Sequence, residues 1–319
     1  MLKRQTLRTS KRSSEYLSKD ITPAVFLCQP FDKPQLILDG AFEESYTCTM
    51  IKSLRIGRDF HNYKDSRRPR YASIKRVNTR GISKSHLKVV TYNIKFAQKI
   101  DPAIELLSTH KNLNDADVLC LQEMDSQGVR TIAHKLDYNY VYYPAIFHPR
   151  KRKEFGNAIL SKWPIIQDSK IIFSKLMIGN LQRISVAATI MFQRKKVHLH
   201  SVHMRVFAKA INRRKHTYQI LDSIDKSEKH CIVAGDFNTF TNADRRAVVE
   251  PFKNSNYDVV TTRLGWTYKY WYLLNKKAQL DHIFSRGMKV DSAGKVYDLS
   301  ASDHLPVWAK FRLPHKKVI

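Results

Sequence analysis

The sequence predicts an α/β protein in which sheets carry helices on their outer faces. Two observations point there. From Leu87 onward, strand-like apolar runs outnumber helical ones, and the helical stretches fall between pairs of strands. A chain of 319 residues, 43% of them hydrophobic, can also bury a core of the size such layers need.

Residues 1–84 hold basic clusters (Lys3-Arg4, Lys11-Arg12, Arg67-Arg68, Arg70, Lys75-Arg76) among weak apolar stretches, with no motif or repeat. They are expected to form a basic extension, partly disordered or loosely docked, with 53–84 as a polar linker. One catalytic domain is expected over 85–314, then a short basic tail at 315–319. Within the domain, 88–92 reads as a strand and 101–110 as a helix, opened by Asp101-Pro102 with proline in the first turn. Val118 to Leu121 reads as a buried strand, and Val129, Ile132, Ala133 and Leu136 recur at helical spacing over 126–136. Strands are expected at 139–144, 157–161, 184–192 and 197–202. A helix over 207–225, with Ile211, Tyr218, Leu221 and Ile224 on one face, precedes strands at 231–235, 280–284 and 305–312.

Charge narrows the partners. A formal net charge of +28 and a pI near 10.0 attract polyanions: nucleic acid, anionic membrane or phosphorylated metabolites. Charge alone does not choose among them. No stretch approaches the roughly 18 apolar residues of a membrane span. No apolar segment follows Met1-Leu2-Lys3-Arg4, so no secretory signal is expected. Cys28, Cys48, Cys120 and Cys231 lack metal-ligand spacing, and the last two sit in apolar runs as reduced thiols do. A cytoplasmic setting is the expectation.

Several strands end in polar groups. Asn93 closes 88–92, Glu123 follows 118–121, and His203 follows a run in which His198 and His200 share one face. Gly235 permits a sharp turn or a close neighbour before Asp236 and Asn238, which can offer an acceptor and a donor together. Asp281 and His304, if adjacent in space, form a carboxylate–imidazole dyad. Each of these, taken singly, is also an ordinary loop or turn residue.

Their order is more specific. Tyr92-Asn93-Ile94, Gln122-Glu123, Gly156-Asn157-Ala158-Ile159-Leu160-Ser161, Ser201-Val202-His203, Gly235-Asp236-Phe237-Asn238, Leu280-Asp281-His282-Ile283-Phe284 and Ser302-Asp303-His304-Leu305-Pro306 occur in sequence. From about Leu87 to Leu313 the chain thereby resembles the endonuclease/exonuclease/phosphatase superfamily. The resemblance implies a four-layered α/β/β/α sandwich of the DNase I-like kind, with its site at one end. It implies Mg²⁺, with Mn²⁺ as the alternative ion, held chiefly by Glu123 with Asn93 beside it; Asp303 completes the metal cluster or its surroundings. It implies that Asp236 aligns and deprotonates water, that Asn238 holds water or phosphate, and that His203 assists the transition state or the leaving oxygen. His304, oriented by Asp281, acts as general base or as a charge-stabilising partner.

Two segments bear on substrate. The basic loop His148-Pro149-Arg150-Lys151-Arg152-Lys153 leads into Gly156-Asn157, which makes Arg150, Arg152 and Asn157 candidate substrate contacts. Arg205 joins them as a possible second-phosphate contact. Trp266 to Leu274 interleaves aromatics with Lys269, a pattern that stacks unpaired bases or sits at a bilayer surface. A Mg²⁺-dependent hydrolase of phosphodiester bonds in nucleic acid is expected. The alternative is a phospholipid-directed enzyme, sphingomyelinase-like or acting on phosphoinositides, that docks to an anionic membrane.

Overall fold

The computed structural model describes residues 61–74, 84–174, 181–206, 208–270 and 276–314. By compactness the chain divides into Met1–Ser45 and Tyr46–Ile319, and every described residue lies in the second unit. The expected extension lies outside the described residues up to residue 60 and over 75–83, as does the tail 315–319.

In chain order the first strands are β1 (His61–Asn62), β2 (Tyr71–Ser73), β3 (Leu87–Asn93) and β4 (Val118–Met124), with helix α1 (Ile100–Thr109) between the last two. Helix α2 (Ser126–Lys135) leads to β5 (Asn139–His148), β6 (Lys153–Ser161), β7 (Ile165–Ile172), β8 (Ile184–Phe192) and β9 (Lys195–His203). Helix α3 (Ala210–Ser223), β10 (Cys231–Asp236) and helix α4 (Asn242–Asn254) follow. The chain continues through β11 (Asp258–Val259), β12 (Tyr268–Lys269), β13 (Lys277–Ala278), β14 (Asp281–Arg286), β15 (Lys289–Lys295) and β16 (Val307–Arg312).

The strands form two large sheets and one small ribbon. The first sheet runs β1-β5-β6-β4-β3-β16-β15 with β2 also on β5; the second runs β11-β14-β10-β9-β8-β7; β12 pairs with β13. The central strands are buried on both faces. β3 is wholly buried, as is β10, which explains their near-continuous apolar sequences. Val89, Val118 and Ile159 of the first sheet share one core with Val186, Leu199, Ile232 and Ile283 of the second. Val90, Leu119 and Leu160 turn the other way and pack with Leu106 and Ile132 of α1 and α2. Val202, Val233 and Phe284 do the same with Ile220, Val248 and Phe252 of α3 and α4. Helices, sheet, sheet and helices therefore form four layers. No described helix is long and apolar enough to cross a membrane.

Several elements depart from expectation, each for a physical reason. Residues 61–74, inside the segment read as a linker, add β1 and β2 to β5. Arg70 secures the stretch by pairing with Asp168 at 2.6 Å. Edge strands β7 and β15 were not expected because their sequences are polar; charged edges resist pairing with other chains. Helix α4 was not expected because Pro251 interrupts its pattern. Its start is marked by a reciprocal cap between Thr241 and Asp244. In α3 half of the predicted apolar face differs: Leu221 and Ile224 pack into the core, but Ile211 and Tyr218 are exposed, and Arg213, Thr217 and Ile220 face inward instead. The Arg213 guanidinium replaces an apolar contact by donating to the Arg205, Val206 and Phe237 carbonyls.

Candidate active site

The strands deliver the polar residues to one end of the sandwich. β3 and β4 are parallel and end together at Asn93 and Glu123. In the second sheet Asp236 of β10 lies opposite both His203 of β9 and Asp281 of β14. Gly235 makes this approach feasible, since a Cβ there would lie 2.0 Å from the Val202 carbonyl oxygen.

Asp236 is the hub. Its Oδ2 accepts from Asn93 Nδ2 at 3.1 Å and its Oδ1 from the Asn238 N–H at 2.9 Å. His203 Nε2 lies 3.6 Å from Asp236 Oδ2 and 3.8 Å from Glu123 Oε1, while His304 Nε2 lies 3.8 Å from Asp236 Oδ2. His304 Nδ1 meets Asp281 Oδ2 at 2.9 Å. The seven residues Asn93, Glu123, His203, Asp236, Asn238, Asp281 and His304 thus converge on one place.

The backbone around them is unusual. A register shift in the β4–β6 pairing after Leu121 accompanies a positive φ of 57° at Glu123. Asn238 has φ 53° and Phe96 φ 54°, and the Phe96 N–H donates to Glu123 Oε2 at 3.1 Å. Positive φ at Glu and Phe costs about 1–3 kcal/mol each and persists where surrounding structure enforces it, most often at functional sites. Below the cleft, buried polar side chains tie the sheets. Gln122 Nε2 donates to Ser201 Oγ, and Asn157 Nδ2 donates to the Ile184 and Ser201 carbonyls.

Electrostatics distinguish the two imidazoles. Burial pushes His304 down, but the Asp281 and Asp236 charges outweigh it and raise its pKa to about 10. Burial, then Arg183 and His304, push His203 well below its ordinary value, so it is neutral at pH 7. Burial raises the carboxyls of Glu123 and Asp236. His304 opposes this at both carboxyls and Arg183 opposes it at Glu123, but burial outweighs them. Asp236, Asp281 and His304 have ligand atoms all within 4.8 Å of one another. Asp281 Oδ2 is engaged by His304, so that trio behaves as a hydrogen-bonded dyad beside a carboxylate. Glu123 fits a hard cation better: Oε2 accepts from Phe96, while Oε1 faces His203 at a distance too long for a hydrogen bond.

Other expected residues fall differently. The Asp303 carboxylate acts on Glu123 and His304 but is itself paired with Lys95 Nζ at 2.9 Å. Asn157 is 1% exposed and its amide donors serve the facing sheet, which replaces the expected substrate contact with a structural tie. Asn238 Nδ2 donates to the Met204 carbonyl, which makes it a brace for the loop after His203. Arg205 is partly buried, and Arg183 depresses its pKa further, which puts two guanidinium groups near each other. Arg152 is exposed on the loop after β5, and the side chain of Arg150 is outside the described structure. Two cations escaped the sequence reading. Arg183, just before β8, interacts with Glu123 and Asp236, and Lys95 follows Asn93 by two residues. A lone basic residue beside a strand end was the only signal for either, among 56 Lys and Arg.

Comparisons with known proteins agree with this fold. The profile described as the Endonuclease/Exonuclease/phosphatase family matches residues 90–304, more than half of the chain. The fold is similar to D. rerio TDP2 complexed with a single-strand DNA product, at TM-score 0.58 and 17% identity over 72% of this chain and 100% of that one. It is similar to an endonuclease/exonuclease/phosphatase from Bacteroides vulgatus, at TM-score 0.60 and 16% identity over 72% and 100%. It is also similar to the mannosyl-6-phosphatase Bt3783 of Bacteroides thetaiotaomicron, at TM-score 0.54 and 14% identity over 70% and 99%. Comparison with curated proteins finds no match.

Proposed function

Because the chain belongs to the endonuclease/exonuclease/phosphatase family, a metal-dependent group of phosphoric ester hydrolases, we propose that it is a Mg²⁺-dependent hydrolase of phosphodiester bonds in nucleic acid. One observation carries the reading. A buried His304 imidazolium, held by Asp281, faces Asp236 and Glu123, whose carboxyls burial raises, in a chain of net charge +28.

Glu123 is the residue suited to hold the cation, with Asn93 beside it. A bound Mg²⁺ would act as a Lewis acid on the phosphoryl oxygens, which otherwise repel an attacking hydroxide. Asp236 orients the attacking water and accepts its proton. With its pKa near 10, His304 already carries a proton at pH 7, which favours its charge-stabilising role over that of general base. His203 is neutral, and its buried Nε2 lacks a hydrogen-bond partner, so it can serve the leaving oxygen. Arg183 and Arg205 supply positive charge for phosphates, while Asn238 and Lys95 hold the loops that carry these groups.

Nucleic acid is favoured by the charge and by the likeness to a protein that carries a single-strand DNA product. Cleavage of single-stranded DNA, duplex DNA and RNA is the test, with wild type compared with His304→Ala. Mg²⁺-dependent cleavage abolished by EDTA and by the substitution is expected. Turnover of a phosphomonoester or a phospholipid, with every nucleic acid left intact, would overturn the substrate assignment.

A further inference from the structure

We propose that Trp266 and Tyr297, with Lys277 and Lys295, form a platform that stacks an unpaired base of a single strand leaving the cleft. The inference rests on the nucleic-acid reading above and adds a site and a strand preference to it. Tyr297 is 70% exposed, the highest value among the exposed large hydrophobic side chains. Its ring meets Trp266 edge-on at 5.7 Å. Lys277 Nζ and Lys295 Nζ lie 4.5 and 4.9 Å from the Trp266 ring, and Lys295 Nζ also lies 4.8 Å from Tyr297. Exposure of one ring is ordinary on a protein surface. An exposed Tyr297 against a half-buried Trp266, with Lys295 over both rings and Lys277 over the indole, is a more specific arrangement. They offer a π-face to any base and positive charge to its flanking phosphates.

The platform is continuous with the site. Thr267, beside Trp266, accepts the N–H groups of Leu280 and Asp281 on its Oγ1, and its carbonyl accepts from Leu305. The next residue, Tyr268, lies against the His304 ring at 4.7 Å and meets Tyr270 at 4.8 Å. On the other side, Val296 N–H donates to the Pro306 carbonyl, which fixes Tyr297 beside the turn that carries His304. Trp266, Tyr268 and Tyr270 recur at every second residue, the period that gives an extended segment one face. One segment thus carries both the ring that meets His304 and the indole of the platform.

Tyr297→Ala removes an exposed ring without touching the core, and Tyr297→Phe restores the ring. At fixed salt, Tyr297→Ala should raise KM for a single-stranded oligonucleotide about tenfold. Its kcat, its KM for a blunt duplex and its hydrolysis of bis(p-nitrophenyl) phosphate should match wild type, and Tyr297→Phe should recover the oligonucleotide KM. An unchanged single-strand KM, or an equal rise on blunt duplex, would overturn the platform and leave the nuclease reading intact. Wild type that hydrolyses the small diester but no oligonucleotide would overturn both.

Discussion

The same central strands end in charged residues at both ends of the sandwich, and the two ends are neutralised in opposite ways. At the end away from the site, Asp117 accepts from Lys88 N–H at 2.7 Å and Trp163 Nε1 at 3.0 Å and pairs with Lys84 at 2.9 Å. Asp291 there is gripped by Arg312 and lies 3.1 Å from His86. Each acid has a cation of its own. At the site end, Asp236, Glu123 and Asp281 share the His304 imidazolium and Arg183 among them, and burial still raises the first two carboxyls. His203 Nε2 and Asp281 Oδ1 are buried there without hydrogen-bond partners. Matched pairs stabilise the fold; the buried, unevenly paired groups at the other end are of the kind that functional sites hold.

The largest expected effects should split by end. Glu123→Gln should lower kcat/KM by roughly 10²–10⁴-fold while the circular dichroism spectrum stays that of wild type. Arg183→Ala should cost about 10²-fold in kcat, the scale of losing one donor to a developing oxyanion, with little change in thermal midpoint. Asp117→Ala should do the reverse. It strands the Lys88 N–H and the Trp163 indole, so denaturant unfolding should show a loss of about 3 kcal/mol with kcat retained. A catalytic defect in Asp117→Ala without loss of stability would break the comparison.

Smaller effects should separate the ends by pH. Hydrogen bonds from Arg312 hold the Asp291 carboxyl below its ordinary value. A lowered folded pKa adds stability above the unfolded value of about 3.9 and loses it as pH falls through the folded value. His304 is raised to about 10, so its contribution is full below the unfolded value of about 6.5 and fades as pH rises through 10. In EDTA, the difference in urea midpoint between wild type and Asp291→Asn should therefore vanish in acid. The difference for His304→Ala should shrink in alkali.

How much of this was legible in the sequence depends on burial. β3, β4 and β10 are buried on both faces, so the strands could be read directly, while Asn93, Glu123 and Asp236 at or near their ends stood out only through the ordered set of motifs. β7 and β15 could not, because polar residues interrupt their apolar positions and the runs read as loop. The inward face of α3 was misread because Arg213, a charged side chain, is buried through bonds to three carbonyls that lie far away or beyond the helix. Arg183 was illegible for the same reason that Lys95 was. Only the fold brings one cation among many to Glu123 or Asp303.

A divalent cation belongs at the site end, on Glu123, and not at the end that holds Asp117. Calorimetric titration of Mg²⁺ into the metal-free protein, with Glu123→Gln and Asp117→Ala as the paired variants, tests it most directly. One binding event in wild type and in Asp117→Ala, lost in Glu123→Gln, is the predicted result. Equal Mg²⁺ binding by Glu123→Gln and wild type would contradict it.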